Sequence, residues 1–261
     1  MEIRKETLTR YIEPLREGGS LPALAEASDS FKYAVKLKGA GHGVKSLISE
    51  LLGGLIAKAF KFRVPEPVFL QLSHLFGITE PDREIQDLLR KSEGLNLGLH
   101  FLEGAYTFDP SVNPIDGLTA SKIVWLDSFI TNVDRSRLNT NMMLWKRELW
   151  LIDHGASFYF HHSGKDANEA ALDPFPYIRN HALLPFADSI VQADKLMRQA
   201  ITPRTLMKIV DTLPEEWLLE ADPEKDPSIL KDYYKTFLTR RLANTSNFVE
   251  RAVEERNKLI I

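Results

Sequence analysis

Apolar side chains recur along this chain at two different periods, and the change from one to the other falls near residue 100. Phe31-Lys-Tyr-Ala-Val-Lys-Leu-Lys38 alternates apolar and polar positions, as a strand with one buried face does. Glu66 to Leu72 predicts a second strand. Between them, positions 47, 48, 51, 52, 55, 56 and 59 are apolar, which makes one stripe along a helix from Ser46 to Phe60. From about Leu118 the period is mainly helical, with stretches near 187–200, 203–212 and 229–258. One hairpin interrupts it: Asn141 to Trp145, a turn at Lys146 to Glu148, and Leu149 to Ile152. Trp125, Phe129, Trp145 and Trp150 are expected in the core, and Asp222-Pro-Glu-Lys-Asp-Pro227 reads as a solvated loop. The expectation is an α+β protein of two lobes, a β-rich one over residues 1–100 and a mainly helical one over 101–261, sharing a cleft.

Composition narrows the partners more than the fold. A length of 261 residues allows a substantial core. The net charge of −3 argues against a basic nucleic-acid-binding surface. There is no cysteine, which removes disulfides, thiolate metal sites and a cysteine nucleophile. No run approaches 18 apolar residues, and Met1-Glu-Ile-Arg-Lys-Glu lacks an apolar leader, so a soluble cytoplasmic protein without a membrane partner is expected.

The chemistry concentrates in two segments. Asn132-Val-Asp134-Arg-Ser-Arg-Leu-Asn139 sets an Asp five residues before an Asn, and Leu151-Ile-Asp153-His-Gly155 delivers a second Asp into a turn. Phosphoryl transfer from a nucleotide needs a group that orients the attacking hydroxyl and oxygen ligands that hold magnesium against the phosphates. The D-x4-N and D-x-G spacings match that need. On the 46–60 helix, Glu50 is the only charged residue between Ser46 and Ala57, and it lies away from the apolar stripe. Its own face, Gly53, Gly54 and Ala57, is expected to let a sheet approach closely. A carboxylate there needs a cation, and the preceding strand offers Lys36 and Lys38 on one face.

Two glycine-rich segments compete to hold phosphates. One is Gly18-Gly19-Ser20, upstream of the lysine strand. The other, Gly39-Ala-Gly41-His-Gly43-Val-Lys45-Ser46, is a near miss to the Walker A loop, with Val44 where a glycine is required for the backbone to curl around phosphate. The chain also lacks the alternating βα units of a P-loop enzyme. His154, His161 and His162 do not share a helical face, and surface or packing roles are expected for them rather than a transition-metal site.

Taken together, Gly18-Gly-Ser-Leu-Pro22, Tyr33-Ala-Val-Lys-Leu-Lys-Gly39, Ser49-Glu-Leu-Leu with Val64-Pro-Glu, Asn132-Val-Asp-Arg135 through Asn139-Thr-Asn141, and Leu151-Ile-Asp-His-Gly155 resemble the small stand-alone type of HipA-like kinase. The Asp-Arg-x3-Asn form also resembles phosphoinositide kinases, although Ser136 stands where those usually carry a histidine. The resemblance implies a two-lobed protein kinase-like fold and transfer of the ATP γ-phosphoryl group, with Mg, to a protein Ser or Thr. It implies a phosphate contact for Lys36, with Glu50 as its partner and Gly18, Gly19 and Ser20 over the nucleotide. It further implies that Asp134 orients or deprotonates the acceptor hydroxyl and that Asn139 and Asp153 hold the metal. Adenine is expected against Asn96 to Leu102, and Arg135 or Arg137 either stabilises developing charge or pairs with a nearby acid. Two rivals remain: phosphorylation of a small molecule or lipid, and a catalytically weak nucleotide-binding module that works as an interaction partner.

Overall fold

The computed structural model describes residues 2–15, 22–41, 43–78 and 80–259. Five strands come first: β1 (Lys5–Pro14), β2 (Ala23–Ala27), β3 (Lys32–Lys36), β4 (Pro67–Leu72) and β5 (Gly94–His100). They lie in the order β1-β2-β3-β5-β4 and close into a barrel, because β1 also pairs with β4 through Lys5–Thr7 against Phe69–Gln71. That closing pair is parallel and the others are antiparallel. Inward-facing Tyr33, Val35, Val68 and Leu70 build the barrel's own apolar core. The alternation on β3 therefore turns Lys32, Ala34 and Lys36 to the other face.

Helix α1 (Val44–Ala59) lies outside the barrel and belongs to a second, larger core. Its Leu47, Leu51 and Leu55 join the buried side chains of the helical part, among them Trp125 and Phe129. After α2 (Arg83–Lys91) and β5 come β6 (Tyr106–Thr107), α3 (Gly117–Phe129), β7 (Met142–Trp145) and β8 (Glu148–Leu151). The hairpin turn is two residues, Lys146 and Arg147, both with positive φ, the twist that suits a tight connection. The remainder is α4 (Phe160–Ser163), α5 (Ala167–Ala170), two 3-10 turns at Pro176–Asn180 and Leu184–Phe186, α6 (Ile190–Ala200), α7 (Pro203–Val210), α8 (Glu215–Ala221), α9 (Pro227–Ala243) and α10 (Ser246–Asn257). Among the described residues, no helix is long and apolar enough to cross a membrane.

Several expectations change. The 229–258 stretch is two helices that part at Asn244 and Thr245, so that Phe248 turns back to meet Trp125 edge-on at 5.5 Å. Trp125 and Phe129 are core, whereas Trp145 and Trp150 are half-buried and meet each other on the hairpin. The close approach to α1 is not made by the sheet. A Cβ on Gly53 would stand 2.6 Å from the His154 Cβ, and Gly54 faces open space.

Candidate active site

Lys36 ends β3 on its outer face, Glu50 sits two turns into α1, and Asp153 follows β8. The fold brings all three together. The Lys36 ammonium donates to Asp153 Oδ1 at 2.7 Å and stands 3.3 Å from Glu50 Oε2. Glu50 is 2 % exposed, and its Oε2 accepts no hydrogen bond, so the ion pair with the shared lysine is what stabilises it there. Burial pushes the Glu50 carboxyl up, but Lys36 and then His154 outweigh it, and the group lies well below the usual carboxylate range. Burial likewise lowers Lys36, yet Glu50 and Asp153 together hold it above its ordinary value.

The backbone is shaped for this meeting. Asp153 has φ 53°, a left-handed conformation that Asp tolerates better than most residues. Gly155 leaves room: a Cβ there would lie 3.4 Å from both Asp153 Oδ1 and Glu50 Oε2. The Ser49 hydroxyl donates to the Ser157 carbonyl at 2.8 Å and ties α1 to the segment after Asp153. His154 Nδ1 is 3.8 Å from Glu50 Oε1, so this histidine is a buried neighbour of the ion cluster.

Asp134 lies in the loop between α3 and β7, half-buried. Its Oδ2 accepts from Asn139 Nδ2 at 2.9 Å and from Asn141 Nδ2 at 3.0 Å. Burial raises its carboxyl above the ordinary range, with Asp153 adding to the rise and the two amides opposing it. Sequence reasoning missed the group that holds this loop. Asp127, fully buried near the end of α3, accepts from Asn132 Nδ2 at 3.0 Å, Arg135 Nε at 2.6 Å and His181 Nε2 at 2.9 Å. His181 Nδ1 accepts from the Leu183 amide, so its proton is on Nε2 and points at Asp127. Arg135 also donates to the Asn141 carbonyl, so it pairs with a nearby acid and braces the loop. Arg137 is exposed. A buried acid paired with arginine across eight residues leaves no periodic signal; only the adjacency of Asn132, Asp134 and Arg135 hinted at it.

The other sequence candidates separate cleanly. Lys38 turns away to Glu220, 2.8 Å distant, which leaves Lys36 as the strand lysine at the cluster. Asn96 cannot face an adenine: it is buried, receives the Lys38 amide on Oδ1, and donates to the Ser92 and Gly94 carbonyls. Lys45 reaches the His161 carbonyl and Ser46 the Gly43 carbonyl, so the Walker-like segment is a connection from β3 to α1. His161 bonds Tyr234 and His162. Gly18, Gly19 and Ser20 lie outside the described residues.

Solved structures share the fold, and three of them are kinases. The Helicobacter pylori proinflammatory kinase CtkA aligns over 100% of both chains with a TM-score of 0.58 and 11% identity. A Golgi casein kinase with Mn and ADP bound aligns with 95% of this chain and 74% of its own, with a TM-score of 0.53 and 12% identity. Another structure of the Golgi casein kinase covers 97% and 76%, with a TM-score of 0.51 and 13% identity. No curated protein matches. The profile of the HipA-like kinases matches residues 8–251. With that match over nearly the whole chain, and a kinase-like α+β fold around the cluster just described, this protein belongs to the HipA-like kinase family.

Proposed function

We propose that this chain transfers the γ-phosphoryl group of ATP, with magnesium, to a Ser or Thr hydroxyl of a protein. The observation that carries the reading is the single ammonium of Lys36 held between a buried carboxylate on α1 and the Asp153 carboxylate, with Asp134 hydrogen-bonded to Asn139 nearby. The family supplies the kinase activity, and the resemblance supplies the protein acceptor. The bound Mn and ADP of the Golgi casein kinase support nucleotide and divalent-metal use.

The donor set fits magnesium. Asp153 offers a carboxylate, and Asn139, whose amide nitrogen is occupied with Asp134, offers Oδ1. Hard oxygen ligands of this kind, few in number, suit a cation that completes its shell with phosphate oxygens and water. The metal would neutralise charge developing on the transferred phosphoryl group. Lys36 contacts the phosphates, and Glu50 keeps its ammonium in place. Asp134 accepts the hydrogen bond of the acceptor hydroxyl and orients it; its raised carboxyl is suited to receiving a proton. Asp127 and Arg135 position Asp134 without touching the reactants. In this reading the lobes are residues 1–100 and 101–261, and adenine lies where the chain leaves β5 rather than against Asn96.

The test uses purified protein, γ-phosphate-labelled ATP, magnesium and cell lysate. Label is expected on protein Ser or Thr. Asp134→Asn is expected to keep ATP affinity within a few-fold while transfer falls by a factor on the order of 10² or more. Nucleotide binding without any transfer by the wild type would favour the binding module instead.

A further inference from the structure

A second concavity, of about 560 Å³, lies on the other side of α1 from the lysine cluster. Lys45 and Ile48 line it, three residues apart on one helical face. Glu50 follows Ile48 by two residues, roughly 160° round the helix, so the two sites use opposite faces of α1. The facing walls come from the segment after Asp153, through His161 and Lys165, and from the 222–225 loop with the first turns of α9. Its volume lies within the roughly 300–1,000 Å³ of small-molecule sites.

The lining has two characters. Ile48, Leu218, Ile229 and Tyr233 give an apolar and aromatic wall. Lys45, Lys165 and Lys225 bring three ammonium groups, against the carboxylates of Asp166 and Asp222 in the lining and Asp173 beside it, which stands 3.5 Å from Lys165. Both lining carboxylates are already engaged. Asp166 caps α5 by accepting from the Asn168 amide at 2.8 Å, and Asp222 pairs with Lys225 at 2.7 Å. Lys45, half-buried, donates to the His161 carbonyl at 3.2 Å and, among the described residues, forms no ion pair with a carboxylate, although it lies close enough to Asp222 to help hold that carboxyl low. A partly desolvated ammonium beside an apolar wall favours an anion with an apolar body.

We propose that this pocket is a regulatory site for a small organic anion: a ring or short hydrocarbon body against Ile48 and Tyr233, with one phosphate or carboxylate on Lys45 and Lys165. Such a ligand bridges the start of α1, which carries Glu50, to the chain that follows Asp153. Its occupancy therefore bears on how Glu50 and Asp153 share Lys36. The binding itself stands apart from the phosphoryl-transfer reading; only the regulatory effect rests on it.

Phenyl phosphate is the probe, with phenol and inorganic phosphate as partial probes, titrated by calorimetry into the full chain. Phenyl phosphate is expected to bind wild type and Lys36→Met alike and more tightly than either partial probe. Lys45→Met is expected to weaken it by roughly tenfold, the worth of one charge-assisted hydrogen bond. Lys165→Ala removes the other proposed anchor, a side chain 47 % exposed, and a several-fold weakening there supports the site even where Lys45→Met unfolds. Filling the pocket should also change ATP–Mg affinity in wild type and leave it unchanged in Lys45→Met. Absence of phenyl phosphate binding, or binding lost in Lys36→Met and kept in Lys45→Met, would overturn the proposal. Binding at the pocket with no effect on ATP affinity would overturn its regulatory role. A wild type that binds phenyl phosphate but never ATP would sink the kinase reading and keep the anion site.

Discussion

Glu50 and Asp127 are both fully buried carboxylates held far below their ordinary range, yet they are built in opposite ways. Asp127 has a donor on each oxygen: Asn132 on Oδ1, Arg135 and His181 on Oδ2. Glu50 is held by Lys36, which prefers Asp153 at 2.7 Å rather than 3.3 Å, and by His154 near Oε1, while its Oε2 accepts no hydrogen bond. A satisfied buried charge fixes one arrangement. An incompletely satisfied one keeps a preference that another arrangement of its partner can meet, and this is where chemistry is expected. The difference separates scaffold from site inside a single core.

The comparison breaks first at Asp127. Removing one partner of a buried pair typically costs about 3–5 kcal/mol because the other charge is stranded. Asp127→Ala should therefore destabilise the protein on that scale in denaturant unfolding, with Arg135 and His181 left unpaired. A stability near wild type would end the distinction. Lys36→Met should act the other way round, with transfer falling by a factor on the order of 10² or more and a smaller loss of stability. Should its stability loss match that of Asp127→Ala, Lys36 would be scaffold too.

Acid sharpens the same contrast. Both carboxyls are depressed on folding, so each contributes stability that is present above its unfolded value, 4.5 for Glu50 and 3.8 for Asp127, and is lost as pH falls through the folded value. Unfolding midpoints measured downward from pH about 5 should fall steeply in wild type, and less steeply in Asp127→Asn. Asp134 moves oppositely: its raised carboxyl should carry the acid limb of the transfer rate above the usual Asp range, a limb that disappears in the Asp134→Asn residual rate. The smallest effect belongs to Lys38. Its partner Glu220 is 43 % exposed, so Lys38→Met should cost no more than about 1 kcal/mol and leave transfer within a few-fold. A collapse of transfer in Lys38→Met would return the phosphate contact to that residue.

What the sequence disclosed was local. Lys36, Glu50, Asp134, Asn139 and Asp153 could be named because strand alternation, a helix stripe and two short spacings mark them, and the fold gathers Lys36, Glu50 and Asp153 into contact. What it hid depended on distance or on glycine. Leu8 is the one buried side chain on β1, so its apolar signal is faint. β5 reads Gly-Leu-Asn-Leu-Gly-Leu-His, and Gly98 leaves the room that Leu70 fills, since a Cβ would stand 2.3 Å from Leu70 Cδ1. Asp127 meets His181 across 54 residues, a pairing no window along the chain can show. The seven-residue α8 is too short to show a helical period, although Trp217 on it donates to the Leu95 carbonyl and so joins the helical part to β5.

Gly53 has a consequence for how this family's genomes are surveyed. It carries no reactive group, yet its missing Cβ lets α1 sit against His154, the residue that follows Asp153. A descendant with alanine at 53 would retain every polar residue by which activity is inferred, yet α1 or the segment at His154 would have to shift to clear the added Cβ. Counting intact motifs would score such a chain as a working enzyme. Silent paralogues in this lineage are better sought at the small residues between the motifs than in the motifs themselves.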